Sequence, residues 1–161
     1  MADRMQQELS RLLDGYDAKR SADQAREQKA KDDEADFLYA FIELRRDVVR
    51  PIFEAAGALL ESRGHRYSIG EQEFSPGGIG ALNEAAITLR VVPMGTKAPL
   101  HEDQRSLAIA TRHYNRTVWI NSGDAPGAGG LAGAKGAYSL DKVTKQLVED
   151  EVIAFVGRVL A

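Results

Sequence analysis

Apolar positions change their period three times along this chain. From Met1 to Asp36 they are sparse: Met5, Leu9, Leu12 and Tyr16 follow one another at intervals of four, three and four, and beyond Tyr16 only alanines stand among the charged residues. That spacing predicts a helix with one narrow apolar stripe of about two heptads, too short for a sustained coiled coil. Pairs such as Arg4 with Glu8 and Glu27 with Lys31 add a few tenths of a kcal/mol each, against roughly 1 kcal/mol per residue for ordering the backbone. Residues 1–35 are therefore expected to form a charged helical or partly disordered segment, mobile without a partner.

At Phe37 the pattern widens. Phe37, Phe41, Leu44, Val48, Ile52, Ala55 and Leu59 recur at helical spacing, flanked by Leu38, Ile42, Val49, Ala56 and Leu60, so a buried helix is expected over 36–64. Pro51 cannot donate to the carbonyl of Asp47, and its ring collides there, which predicts a kink or two abutting helices near 47–50. Gly64 suits a left-handed C-terminal cap.

The period then drops to two. Strand-like runs occupy "HRYSIGEQEF", "AAITLRVVPM", "RSLAIATRHY" and "RTVWINS", all within 65–122, with turn residues between them and no helix-length insertion. Strands joined by short turns run antiparallel. A helical period returns after Ser139, a good N-cap, at Leu140, Val143, Leu147, Val148, Val152, Phe155, Val156 and Val159, predicting a helix over 139–160. The expected fold is α+β: a four-stranded antiparallel meander with two long helices packed on one face, preceded by the charged segment 1–35, with 36–161 as a single domain.

Composition narrows the chemistry. The 161 residues hold no cysteine, which excludes thiol nucleophiles, iron–sulfur clusters, cysteine-based zinc sites and disulfides. A net charge of −3 argues against general attraction to nucleic acid or an anionic membrane. The N-terminus is charged from its third residue and no apolar run nears membrane-spanning length, so a cytoplasmic protein is expected.

The stretch "SGDAPGAGGLAGAKGAYS", 122–139, resembles a phosphate cradle only at first sight. A Walker-type loop needs glycine before its lysine and a hydroxyl residue after it, whereas Ala134 precedes Lys135 and Gly136 follows. A dinucleotide fingerprint on Gly127, Gly129 and Ala132 lacks the parallel βαβ setting it requires. Loop 122–138 reaches about 20–25 Å as flexible chain, more than the ~10 Å between a sheet and a helix layer, and reads as a linker or a flap over a ligand.

Other candidates are sparse. His101, beside Glu102 and Asp103, lacks a helical metal partner because Arg105 stands four residues on. His65 suits the helix end at Gly64. Glu71 and Glu73 share a strand face, where edge charges that block aggregation are expected. Ser75 and Ser122 sit in no nucleophile elbow. No cofactor or metal is expected.

Strand alternation points to one surface. With Ile87, Leu89, Val91, Leu107, Ile109, Val118 and Ile120 toward the helices, the opposite face carries Thr88, Arg90, Arg112, Tyr114, Thr117 and Trp119. Arg, Tyr and Trp are enriched at interface hot spots. The expected function is a non-catalytic interaction or adaptor domain, self-associating or docking a protein partner through Arg90, Arg112, Tyr114 and Trp119. The alternatives are a small-molecule binder or enzyme that uses 122–138 as a flap and, more weakly, single-stranded nucleic-acid binding by the sheet face.

Overall fold

A computed structural model describes residues 2–77, 82–95, 105–123 and 135–161. Helix α1 spans Ala2–Leu44, a π turn Arg45–Val49 and helix α2 Arg50–Ser62. Strands β1 (Arg66–Gln72), β2 (Ala86–Val92), β3 (Ser106–Arg112), β4 (Thr117–Gly123) and β5 (Lys135–Tyr138) follow, and helix α3 (Lys145–Leu160) closes the chain. The chain divides into two compact units, Met1–Asp36 and Phe37–Ala161.

The first unit is helical from Ala2, where a charged helix or a frayed tail was expected. Local ion pairs join Glu8 to Arg11 at 3.8 Å and Asp23 to Arg26, and Gln28 donates to Asp32 at 3.0 Å, all one turn apart. Met5, Leu9, Leu12, Leu13 and Tyr16 are exposed.

The second unit is α+β, with five antiparallel strands in the order β1-β2-β3-β4-β5 rather than four. The missed strand, Lys-Gly-Ala-Tyr, has little β propensity and no alternation to announce it. It pairs Val118 with Tyr138 and Ile120 with Lys135 across an irregular register, satisfying peptide groups on the outer side of β4. The expected loop 122–138 therefore gives Ser122 and Gly123 to β4 and 135–138 to β5, while 124–134 lie outside the described residues.

The helical face also departs from expectation. The residues buried along the first two helices are Phe37, Phe41, Arg45, Val49, Phe53, Gly57 and Leu60, a nearly constant step of four. A step of four drifts around a regular α-helix by about 40° each time, because the repeat is 3.6. The π turn Arg45–Val49, closed by the Arg50 N–H on the Arg45 carbonyl, adds the extra residue that turns the face back. It lies immediately before Pro51, where a kink was expected, and α2 begins afresh with Pro51 in its first turn. The inserted residue moves every later core position by one, so Val49, Phe53 and Leu60 are buried in place of Val48, Ile52 and Leu59.

At the end of α2 the Gly64 N–H bonds Glu61 O at 3.0 Å and the His65 N–H bonds Leu60 O at 3.1 Å, with Gly64 at φ +92°, a Schellman cap as expected of Gly64. The last helix starts later than 139. Ser139 is extended and its side chain caps nothing, residues 140–142 make one 3-10 turn, and the Thr144 hydroxyl accepts from the Leu147 N–H at 3.2 Å as the N-cap of α3. Val143, buried between the two, interrupts the helix by entering the core.

One cluster joins the layers: Phe37, Phe41, Val49 and Phe53 from the first helices, Ile87, Leu89, Leu107, Ile109, Val118 and Ile120 from the sheet, and Val148, Val152 and Phe155 from α3. Fully burying each of these side chains contributes about 1.5–3 kcal/mol.

Candidate functional site

The register arranges the sheet face opposite this cluster in rows across the strands. One row holds Ser68, Arg90, Ser106 and Gly123; the next holds Gly70, Thr88, Ala108 and Asn121; the third holds Gln72, Ala86, Ala110 and Trp119. Arg112 opposite Thr117 follows. Gly70, Ala86, Thr88, Ala108 and Ala110 make most of the floor, beside Asn121, so the larger side chains at either end stand above it. The Arg90 guanidinium leans over Gly70, 3.6 Å from where a β-carbon on that glycine would lie.

At the other end the Arg112 guanidinium stands 4.7 Å from the centroid of the Trp119 ring, a cation–π geometry. The indole Nε1–H donates to Thr117 Oγ1 at 3.1 Å and the Thr117 hydroxyl donates to Asn115 Oδ1 at 2.6 Å, which fixes the ring from its polar edge. Arg112 and Trp119 are thus brought together. Arg90 is not with them: Arg112 stands six positions along β3 from Ser106, the neighbour of Arg90, about 20 Å along the strand. Tyr114, expected on the same strand face, lies beyond the end of β3 in the turn 113–116, exposed, with its ring edge-on to His113 at 5.8 Å.

Two clusters escaped the sequence reading. Glu84 accepts from the His113 N–H at 3.1 Å and from the Thr111 hydroxyl at 3.3 Å, and its Oε2 lies 3.0 Å from His113 Nδ1. Phe74 packs on the same imidazole at 5.0 Å. A carboxylate holding an imidazole is half of a base-activated nucleophile, but the Thr111 hydroxyl here serves Glu84 and the Ala85 carbonyl, so the arrangement ties the start of β2 to the end of β3. The second cluster centres on Arg45, 5% exposed, which donates to the Gln72 carbonyl at 3.2 Å, the Ala86 carbonyl at 3.4 Å and Glu73 Oε1 at 2.6 Å. Glu71 accepts from Arg50 at 3.0 Å, and this bond, with a second from Arg50 to Glu54, raises the Arg50 pKa above its ordinary value. Glu71 and Glu73, expected as exposed edge-strand charges, are also partners of the arginines Arg50 and Arg45. The only sequence signal for either cluster was charge inside an apolar pattern, and the pairings need the register.

The remaining candidates fall elsewhere. The His65 side chain accepts from the Met94 N–H at 2.9 Å through Nδ1, which joins β1 to the turn after β2 and leaves the α2 cap to backbone groups. Ser122 is buried on the helix side of β4 and accepts from Arg158 at 2.9 Å. Ser75 bridges to Asn83. His101 lies outside the described residues, as do Gly127, Gly129, Ala132 and Ala134. Among the described residues no group of three or more His, Asp or Glu is placed to hold a metal ion, and no helix is long and apolar enough to cross a membrane.

No protein-family model, no curated protein and no solved structure matches this chain.

Proposed function

We propose that this chain is a non-catalytic interaction domain that docks a protein partner on the sheet face bearing Arg90, Arg112 and Trp119, with Tyr114 at its margin. The observation that carries the reading is the Arg112 guanidinium held over the Trp119 ring at one end of a floor of small side chains. A rigid aromatic fixed by a cation and a hydrogen bond loses little entropy on binding, the property that makes Trp and Arg hot-spot residues. The small residues beside it leave room for a partner's side chains. Stacking of single-stranded bases is the weaker use of this face, because the guanidinium already occupies a face of the ring and the chain carries a net charge of −3.

The test compares proteins captured from a cell extract by the full chain with those captured by Trp119→Ala and Arg112→Ala. Circular dichroism confirms that each variant is folded, and Tyr39→Ala serves as an exposed control. The expected result is a stoichiometric partner retained by the control and lost from both variants. A partner retained by both variants sinks the reading.

A further inference from the structure

The two faces of the sheet differ in charge as well as in side-chain size. The five strands contain a single carboxylate, Glu71, which shares the helix-facing alternation of Tyr67 and Ile69 and is bonded to Arg50. The opposite face carries Arg66, Arg90 and Arg112 and, among the described residues, no carboxylate. A chain with a net charge of −3 thus gathers three positive charges on one side of its sheet. Glu84, two residues before β2, does not offset them, because His113 and Thr111 hold its carboxylate.

These charges stand at the two ends of the floor. Arg66 lies opposite Val92 and Arg90 opposite Ser68, so the two arginines are diagonal neighbours, about 7–8 Å apart. Both are exposed, and neither forms an ion pair among the described residues. Like charges this close repel, and the Arg90 guanidinium leans over Gly70, away from Arg66. About 20 Å along the strands Arg112 covers Trp119. Between the ends the rows are neutral: Thr88, Ala108 and Asn121 in one, Ala86 and Ala110 in the next.

We infer that the partner docked on this face presents an acidic segment, with carboxylates at two places about 20 Å apart and neutral residues between them. The inference rests on the sheet-face reading above and adds the chemistry of the partner to it. A carboxylate meets a guanidinium through two parallel hydrogen bonds, the contact that Arg66 and Arg90 lack within their own chain. In an extended chain about six residues span the distance between the two ends. A single-stranded nucleic acid fits this layout less well. It carries a phosphate at every nucleotide and is bound by a groove that is basic along its whole track, whereas here the middle rows carry no charge. Complementary charge at the ends of a neutral floor also selects the partner by sign and steers its approach.

Fluorescence anisotropy of labelled poly-L-glutamate of about 20 residues, titrated with the full chain at about 20 mM salt, tests the inference beside an oligothymidylate of equal length. Poly-L-glutamate is expected to bind, to change the emission of Trp119, and to weaken at least about tenfold by about 200 mM salt. Arg66→Glu with Arg90→Glu, at exposed positions, removes the binding with unchanged circular dichroism. Absence of binding by the unaltered chain overturns the inference. Binding that survives both charge reversals assigns it to other basic residues and also overturns it. Tighter binding of the oligothymidylate overturns it in favour of nucleic acid. Capture from a cell extract separates this inference from the reading beneath it. A partner lost with Trp119→Ala but retained by Arg66→Glu with Arg90→Glu refutes the acidic segment and leaves docking on the sheet face standing.

Discussion

The ring of Tyr67 in β1 lies against the backbone of Gly57 in α2, so close that a β-carbon added to Gly57 would stand less than 3.0 Å from three ring carbons. Gly57 takes one of the buried positions along α2, and its missing side chain is what lets the helix settle on the first strand. In an isolated helix, exchanging this glycine for alanine would stabilise by about 1 kcal/mol.

Gly57→Ala is accordingly expected to destabilise the chain by about 1–3 kcal/mol, the usual range for overpacking, despite its better helix propensity. Urea unfolding monitored by circular dichroism reads the change. Adding Tyr67→Leu should recover much of the loss, since the smaller side chain vacates the contested space. Stabilisation by Gly57→Ala alone would show that the contact is loose.

Arg45 occupies a core-facing step between Phe41 and Val49, yet its guanidinium reaches two strand carbonyls and Glu73. The Glu73 side chain is 64% exposed, so that ion pair is screened and the carbonyl bonds matter more. Arg45→Ala is expected to cost about 2–3 kcal/mol, and Glu73→Ala less than about 1 kcal/mol. Equal losses from the two in denaturant melts would contradict this division.

Trp119 is the single tryptophan and is half-buried under the Arg112 guanidinium. Its emission should be intermediate in wavelength and partly protected from acrylamide. Arg112→Ala should shift it to the red, raise quenching, and lower stability by about 0.5–1 kcal/mol, the range for an exposed cation–π pair. An unchanged spectrum and quenching constant would mean that the arginine does not cover the ring.

The Arg46 guanidinium donates to both oxygens of Asp47 at 2.8 and 3.0 Å, which holds that carboxyl below its ordinary 3.8. A depressed carboxyl contributes stability above its unfolded value, and the contribution fades as pH falls through the lower folded one. Carboxyl-detected NMR titration should find Asp47 still ionised where an ordinary aspartate is half protonated. Arg46→Gln should return it toward 3.8, and a titration that the substitution does not move would rule out the pairing.

Several features follow from local chemistry alone. Alternation around Ile87, Leu89, Leu107 and Ile109 suffices for strands and an inward face, because a strand repeats every two residues whatever packs on it. The change of pattern near Phe37, the glycine cap at Gly64 and the antiparallel order have the same local origin. What only the tertiary structure decided is where a neighbour overrules local preference. The segment 135–138 is a strand because β4 leaves peptide groups to pair. Val143 breaks the last helix because the core takes its side chain. The π turn before Pro51 moves burial from Leu59 to Leu60 because the helix must keep one face on the sheet. That last shift leaves Leu59 beside Ile153 on the outer side of the helix layer, and the stacking of the sheet on the helices sets Glu73 against Arg45. The periodicity of the chain carries neither relation, since each is made by residues that meet only when helix and sheet are stacked.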